Sequence, residues 1–304
     1  MNGKHIIVTG GAGFIGTNLV RKLCEDNHVT VVDNLHTGSV ENIRDLVDAG
    51  KVKFVEGDVK NLRKLGIEAD VVFHLGIYSA SPMYRKNPQL VSEVVAGTID
   101  VLEYVKERGA RLVYASTSSI YNSIEPPHRE DIIPLVTDFY TEARLAGERL
   151  LELYSKLYGI DAQAVRFFSV YGKYEKAKAG YANLATQFLL AMKHGKQPEI
   201  YGDGTQRRDF IYAEDLADLL IAASSRKGFN IYNAGTGKNY DLNELVDMIN
   251  RMLGEDIRPK YLKMPVSNYV MVTLADTTKI RKELGFEAKT SLEKGLDIIN
   301  KFYS

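Results

Sequence analysis

The strongest indication of the fold lies near the N-terminus, in the stretch His5-Ile6-Ile7-Val8-Thr9-Gly10-Gly11-Ala12-Gly13-Phe14-Ile15-Gly16. Its β-branched beginning predicts a buried strand, and the apolar residues that recur every three or four positions after Phe14 predict a helix. The glycines between them permit a tight turn that presents the free N–H groups of a helix N-terminus, which attract a diphosphate. This order of elements is typical of a dinucleotide site. The residues predicted at this turn are Gly10, Gly13, Phe14, Ile15 and Gly16.

Outward from this stretch, short β-branched runs alternate with helical periodicity. Strands separated by helices are typical of a parallel sheet that is covered by helices on both faces. The pattern predicts an α/β fold, a Rossmann-type doubly wound parallel sheet with a smaller C-terminal α/β substrate-binding lobe. The predicted strands are 5–9, 29–33, 52–55, 71–75, 112–115 and 162–167, and the predicted helices are 14–25, 88–108, 139–158, 181–194, 213–225, 241–253 and 291–303.

The strict alternation ends near residue 168, where glycine-rich and lysine-rich loops begin to mix with short strands and helices. Such a region is typical of a lobe that closes over a ligand. We expect residues 1–168 to form the dinucleotide-binding domain, with returning segments near 207–232. Residues 169–304 are expected to form a discontinuous substrate-binding lobe.

Composition excludes several classes of function. Lys plus Arg and Asp plus Glu both number 39, so no global charge favours nucleic acid or an anionic membrane as partner. The single cysteine, Cys24, excludes a disulfide framework, and the six histidines lack the spacing of a metal site. No apolar stretch approaches the roughly 18 residues of a membrane span, and the N-terminus lacks a signal-peptide layout. We therefore expect a cytoplasmic protein without a metal.

The second predicted strand ends at Asp33, about 20 residues beyond the glycines, where an acid accepts hydrogen bonds from the ribose hydroxyls of adenosine. Asn34 and Leu35 follow it, instead of the arginine that would suit a 2′-phosphate, so the sequence predicts NAD as cofactor. Asp58 and Val59 follow the third predicted strand, Leu75 and Gly76 lie at the end of the fourth, and Ser116 follows the fifth. All lie at the carboxyl edge of the sheet, where open α/β sheets bind ligands. The further residues predicted to bind the cofactor are Asp33, Asn34, Gly38, Asp58, Val59, Leu75, Gly76 and Ser116.

A possible catalytic pair lies on the helix predicted at 139–158. Tyr140 and Arg144 are four residues apart, so one turn places both side chains on the same face, where a cation favours the anionic form of a phenol and hence a general base. The strand before this helix leads into the hydroxyl cluster Ser116-Thr117-Ser118-Ser119, of which one member could bind a substrate oxygen. Surface packing of the pair and capping or turn formation by the hydroxyls are the ordinary alternatives.

Taken together, these motifs resemble the extended short-chain dehydrogenase/reductase family of nucleotide-sugar epimerases and dehydratases. The resemblance covers nearly the whole chain. It rests on Thr9–Gly16, Asp33-Asn34, Gly57-Asp58-Val59, His74-Leu75, Ser116–Tyr121, Tyr140–Glu148, Arg166–Gly172, Gly202–Tyr212, Ala275-Asp276 and Leu284-Gly285-Phe286.

The resemblance implies roles for single residues. Tyr140 matches the catalytic tyrosine of the family and Thr117 the residue that binds the reacting hydroxyl. Arg144 stands where the family usually has lysine and is expected to bind the nicotinamide ribose, so Tyr140 and Arg144 also count as cofactor contacts. Arg208 is expected at the substrate diphosphate and Tyr201 at the uracil. The residues implied in substrate binding are Ser79, Thr117, Ser118, Ser169, Asn183, Leu184, Tyr201 and Arg208.

The sequence departs from the family at several points. Val94 and Ser169 occupy two positions where asparagine is usual, and the stretch 264–269 lacks the usual arginine. The lysine-rich loop Lys173–Lys178 is a candidate source of replacement cations, and a solvated loop is the ordinary alternative.

Ser118 and Ser119 reduce the number of reactions that the family resemblance allows. Dehydratases of the family have an Asp-Glu pair at these positions, and decarboxylases have a glutamate at the second, so neither reaction is expected. The resemblance instead implies NAD-dependent 4-epimerisation of a UDP-sugar through a transient 4-keto form, with UDP-glucose and UDP-galactose or their N-acetylated forms as substrates. The alternatives are a nucleotide-sugar 4-reductase or dehydrogenase and a catalytically silent NAD-binding sensor. The resemblance also implies a homodimer that pairs helices 88–108 and 139–158.

Overall fold

The computed structural model describes residues 1–264 and 269–303. The strands are β1 His5–Thr9, β2 His28–Asp33, β3 Val52–Glu56, β4 Val71–His74, β5 Arg111–Thr117, β6 Ala162–Phe167, β7 Ser169–Tyr171, β8 Glu199–Tyr201, β9 Arg207–Arg208, β10 Phe210–Tyr212, β11 Phe229–Ala234, β12 Tyr240–Asp241 and β13 Lys260–Leu262. The helices are α1 Phe14–Leu23, α2 Arg44–Asp48, α3 Ser81–Lys86, α4 Leu90–Arg108, α5 Phe139–Tyr158, α6 Leu184–Lys193, α7 Ala213–Ala223, α8 Leu242–Leu253, α9 Thr278–Leu284 and α10 Leu292–Phe302.

Seven parallel strands form the central sheet, in the order β11-β6-β5-β4-β1-β2-β3. The chain runs outward from β1 in one direction through β2 and β3, and then returns to the other side of β1 with β4. Ligands of open α/β sheets bind at the carboxyl ends of the strands where the order reverses in this way. The prediction of a Rossmann-type doubly wound sheet is confirmed, and β11 adds a seventh strand that was not predicted.

Hydrophobic cores cover both faces of this sheet. On one face, α1 and α7 pack against it, and on the other, α4 and α5 do. In α4, Val101, Leu102 and Val105 are fully buried against the sheet, so they are not available for pairing with a second subunit. Leu153 and Leu157 of α5 are 48% and 62% exposed. The pairing of these two helices in a homodimer stays a prediction.

A third core lies beyond residue 168 and joins α6, α8 and α10 to β8 and β10. The sequence specifies its helices locally: Asp241 and Glu244 form a capping box at the start of α8, and Gly254 ends that helix in the left-handed conformation. The helix predicted at 181–194 begins only at Leu184, because a 3-10 turn at Lys176–Tyr181 precedes it. The role of this part as the substrate-binding lobe stays a prediction. Within the described ranges, no helix is long and apolar enough to span a membrane.

Candidate active site

A cavity of about 830 Å³ lies along the carboxyl ends of the central strands and extends to the third core. Every residue that the sequence predicts for the cofactor, the substrate or catalysis lies on its wall. These residues are Gly10, Gly13, Phe14, Ile15, Gly16, Asp33, Asn34, Gly38, Asp58, Val59, Ser79, Leu75, Gly76, Ser116, Thr117, Ser118, Tyr140, Arg144, Ser169, Asn183, Leu184, Tyr201 and Arg208.

The glycine-rich turn leaves the N-terminus of α1 open toward the cavity. Gly13 is the N-cap, no side chain of the described residues caps this end, and no acidic residue lies in the first turn. Gly10 has φ 69°, and a Cβ there would lie 2.7 Å from the Cα of Gly76. An uncapped N-terminus with close backbone approach fits a bound diphosphate.

Gly16→Ala is expected to disrupt this turn. A Cβ at this position would lie 2.1 Å from the carbonyl oxygen of Gly10, and backbone cannot move aside as a flexible side chain can. We expect the variant to lose NAD binding by at least about tenfold and to unfold at a lower temperature, by an overpacking cost of about 1–3 kcal/mol. Isothermal titration and thermal unfolding test this. Gly50→Ala on the surface is the control without a clash, because a Cβ there has nothing within 4 Å; its φ of 68° adds a backbone strain that Gly16 does not have. A Gly16→Ala variant that binds NAD as tightly as the Gly50→Ala variant would contradict the close packing of the turn.

Asp33 lies at the end of β2, where its carboxylate is buried and already accepts two backbone N–H groups. Oδ2 accepts from Ala12 at 3.0 Å and Oδ1 from Leu35 at 2.8 Å. Burial raises the pKa of the Asp33 carboxyl, and these N–H groups act against the rise. A carboxylate has about four acceptor positions, so it can still accept from the two hydroxyls of a ribose. The residues present therefore fit an adenosine dinucleotide without a 2′-phosphate.

Tyr140 lies in the first turn of α5, between two side chains that fix its ring. Asp138 begins this helix by accepting the N–H of Thr141 at 2.8 Å. The ring of Tyr84 packs edge-on against Tyr140 at 5.5 Å between centroids, and the guanidinium carbon of Arg144 lies 5.2 Å from the centre of the Tyr140 ring. The pair predicted from its i, i+4 spacing is thus brought together at the cavity wall.

Arg144 is buried, with 3% of its surface exposed. Its Nη1 donates to the carbonyl of Ala115 at 2.5 Å and its Nη2 to that of Tyr78 at 2.8 Å. One hydrogen on each terminal nitrogen remains for a ligand. The positive charge contributes, after burial itself, to lowering the pKa of His74 to about 3, so that His74 is a neutral hydrogen-bond partner of Thr9 at 2.8 Å.

Ser116 and Thr117 lie at the end of β5, and only the hydroxyl hydrogen of Thr117 is available to a ligand. The Oγ1 of Thr117 accepts the N–H of Ser119 at 3.1 Å, which leaves its hydroxyl hydrogen available. The hydroxyl of Ser116 donates to Glu148 at 2.5 Å. Glu148 in turn forms a buried two-pronged ion pair with Arg166 at 2.9 and 2.7 Å. Ser116 therefore ties the end of β5 to a fixed charge network behind the cavity.

Arg208 reaches the cavity from β9. Nη2 donates to the carbonyl of Val270 at 2.5 Å, and the ring of Tyr269 lies 5.6 Å from its guanidinium carbon. Burial lowers the pKa of Arg208. Arg208 forms no salt bridge with the neighbouring Asp209 in the described part of the chain, because the Asp209 carboxylate accepts the N–H groups of residues 236, 237 and 275 instead. Part of the stretch 264–269, which lacks the family's usual arginine, lies outside the described residues.

The structure adds Asp138 to the predicted cavity residues, and it distinguishes the lysines of the loop that the sequence indicated as a source of cations. Asp138 accepts from the hydroxyl of Ser81 at 2.5 Å in addition to capping α5, and only its capping role is visible in sequence. In the lysine-rich loop, Lys173 pairs with Glu214 at 3.0 Å and Lys176 is exposed, whereas Lys178 lies on the cavity wall. Among residues 1–264 and 269–303, no three His, Cys, Asp or Glu side chains lie close enough to hold a metal ion.

Comparison with known proteins places the chain in a family. Residues 6–235 match the model of the NAD dependent epimerase/dehydratase family. The chain belongs to this family, whose members are NAD-dependent epimerases and dehydratases.

Three relatives illustrate the range of this family. The UDP-glucuronate 4-epimerase of Thermodesulfobacterium geofontis is 33% identical over 308 residues, 96% of this chain and 94% of the relative. The UDP-glucuronic acid decarboxylase 1 of Xenopus tropicalis is 30% identical over 302 residues, 97% of this chain and 70% of the relative. The solved UDP-N-acetylglucosamine 4-epimerase of Methanobrevibacter ruminantium, in complex with UDP-N-acetylmuramic acid, superposes with a TM-score of 0.94 at 29% identity, over 100% of this chain and 99% of the other.

Proposed function

We propose that this protein is an NAD-dependent 4-epimerase of a UDP-sugar. The observation that carries the proposal is the wall of one cavity, where Thr117 and Tyr140 lie together with the open glycine-rich turn and with Arg208. Similarity to 4-epimerases over nearly the full length supports the same reaction class. The substrates proposed are UDP-glucose and UDP-galactose or their N-acetylated forms.

Each residue has a defined task in this proposal. The phenol oxygen of Tyr140 takes the proton from the C4 hydroxyl of the sugar and later returns it to the C4 oxygen. The free hydroxyl hydrogen of Thr117 donates to that oxygen and holds it in place. Arg144 keeps a fixed positive charge next to the Tyr140 ring, where it stabilises the negative charge that develops during the proton transfer. Bound NAD supplies the hydride acceptor and donor of the reaction.

The other reactions of the family need acids that this cavity lacks at the corresponding place. Elimination of water requires a proton donor and a base next to the sugar, and the family's Asp-Glu pair is replaced here by Ser118 and Ser119. A serine hydroxyl is too weak an acid and base for either task near neutral pH. Decarboxylation is disfavoured by the same absence of glutamate at Ser119, despite the similarity to decarboxylases.

The decisive experiment uses a panel of UDP-sugars with a small, catalytic amount of NAD. The panel contains UDP-galactose, UDP-N-acetylgalactosamine and UDP-glucuronate, and the products are identified by NMR. We expect a C4 epimer to form to equilibrium without a net gain of NADH and without release of CO₂. A strict requirement for stoichiometric NADH would identify a reductase instead, and CO₂ release from UDP-glucuronate would identify a decarboxylase.

A further inference from the structure

The loop between β7 and α6, residues 172–183, lies on the helix that carries the glycine-rich turn; we call it the clasp loop. The amide nitrogen of the Asn18 side chain donates to the carbonyl of Lys173 at 3.1 Å. The guanidinium carbon of Arg21 lies 4.7 Å from the centre of the Tyr174 ring. The clasp loop is therefore fixed to α1 at two points, one and two turns beyond its N-terminus.

Two non-glycine residues of the clasp loop have a left-handed backbone. Tyr174 has φ 66° and Ala179 has φ 46°. Such conformations cost of order 1–3 kcal/mol each and persist only where the surrounding contacts enforce them, often at ligand sites. Tyr174 and Ala179 lie on either side of Lys178 in the sequence, so their backbone conformations determine the direction of the chain at Lys178.

Lys178 extends from the clasp loop toward the glycine-rich turn. Its Nζ lies 5.5 Å from the centre of the Phe14 ring, and Phe14 is the first residue of α1. The side chain is 17% exposed and lies on the wall of the same cavity as Gly10 and Gly13. A cation is thus placed beside the helix end that fits a diphosphate.

Glu175 is the anionic partner of Lys178 within the protein, and the charge of Lys178 acts against the rise in pKa that burial causes at the Glu175 carboxyl. Glu175 is fully buried and lies 3.7 Å from Nζ, a long separation for an ion pair. Its two oxygens are already hydrogen-bonded, one by the N–H of Asn183 at 2.7 Å and the other by the hydroxyl of Thr186 at 2.6 Å. Lys178 can therefore donate to a ligand while Glu175 keeps its own partners and holds the clasp loop in place.

Main-chain carbonyls hold two other cations of the cavity wall in place. Arg144 donates to the carbonyls of Ala115 and Tyr78, and Arg208 donates to the carbonyl of Val270. The wall has more carboxylates than cations, so it offers no excess of positive charge. The proposed cofactor and substrate would each bring a diphosphate into this cavity, and each cation on the wall is therefore needed to neutralise them. Among the described residues, the wall carries the cations Lys60, Arg85, Arg144, Lys178 and Arg208 and the carboxylates Asp33, Asp58, Glu93, Asp138, Glu175 and Glu199.

We propose that Lys178 binds the diphosphate of the dinucleotide held at the glycine-rich turn, and that this contact retains the cofactor during turnover. The inference rests on the proposed NAD cofactor. The N-terminus of α1 supplies neutral N–H donors, and Lys178 supplies a positive charge that neutralises the diphosphate.

The test compares Lys178→Met with Lys176→Met, which removes a neighbouring, exposed lysine of the same loop. Dissociation constants for NAD, adenosine and UDP are measured by calorimetry on both variants and on the unsubstituted protein. We expect Lys178→Met to weaken NAD roughly 10- to 100-fold, the loss for one charge-assisted contact, and to leave adenosine and UDP within about twofold. Lys178→Arg, which keeps the charge, is expected to retain most of the NAD affinity, and Lys176→Met all of it.

Two results would overturn the proposal while leaving the cofactor assignment intact. One is an NAD affinity of Lys178→Met within about twofold of the unsubstituted protein, and the other is weaker UDP binding with unchanged NAD binding, which would assign Lys178 to the substrate diphosphate. Failure of the unsubstituted protein to bind NAD would instead remove the proposed cofactor itself. Thermal unfolding without ligand shows whether each variant is folded, and Lys178→Gln serves as a second neutral variant.

Discussion

Tyr140→Phe is expected to lower the turnover of a UDP-sugar by about 10²- to 10⁴-fold, the usual contribution of a general acid-base. The substitution removes one oxygen and keeps the ring that packs between Tyr84 and Arg144. Stability and NAD affinity are therefore expected to stay close to those of the unsubstituted protein. Steady-state kinetics on the epimerised substrate, together with thermal unfolding, measure both.

Tyr158→Phe is the matched control, because Tyr158 ends the same helix and is 53% exposed. We expect no change in its turnover. A Tyr140→Phe variant as active as this control would exclude Tyr140 as the proton-transfer group. If the unsubstituted protein binds NAD tightly but turns over no UDP-sugar of the panel, the sensor alternative is correct and the enzyme proposal fails.

Arg166→Met is expected to cause the largest loss of stability. Arg166 and Glu148 are 2% and 3% exposed and joined by two short hydrogen bonds. The substitution leaves the Glu148 carboxylate buried without its cation, with the hydroxyl of Ser116 as a remaining donor. An uncompensated buried charge costs about 3–5 kcal/mol, which corresponds to a melting temperature lower by about 5–10 °C in a protein of this size. Because Ser116 precedes Thr117, turnover is expected to fall as well.

The control is Arg129→Met, which breaks the ion pair with Asp131. Both side chains of that pair are about two-thirds exposed, at 64% and 67%. Exposed pairs contribute about 0–1 kcal/mol, so the melting temperature of this variant is expected to change little. If thermal unfolding shows that both variants lower the melting temperature by a similar amount, then burial does not make the Arg166–Glu148 pair more stabilising than an exposed pair.

The fold was largely predictable because its signals are local and repeated. Six of the seven sheet strands are short β-branched runs, and their periodicity differs clearly from that of the long helices. Strand β11 was missed since Asn230 and Asn233 interrupt its apolar pattern. Both side chains are satisfied by tertiary hydrogen bonds, to Gln163 and Tyr121, which no local pattern reveals. Helices α2, α3 and α9 were missed because one or two turns are too short to show periodicity.

The site was predictable where its residues belong to motifs, and not where folding alone brings residues together. The predicted residues all lie on one cavity wall, since the carboxyl ends of parallel strands meet at one edge. The position of Lys178 depends on the left-handed residues of the clasp loop and on the contact of that loop with α1. No local sequence pattern predicts either feature. Tyr84 likewise reaches Tyr140 only because α3 packs against α5.

In the proposed reaction, hydrogen leaves C4 of the sugar and returns to the opposite face of the same carbon. A UDP-sugar of the panel that carries deuterium at C4 tests this most directly, with the product analysed by NMR. We predict that the epimer retains the deuterium at C4, because NAD in this cavity would return the same hydrogen to C4 without exchange with water. An epimer that has lost its deuterium to solvent would contradict this reaction.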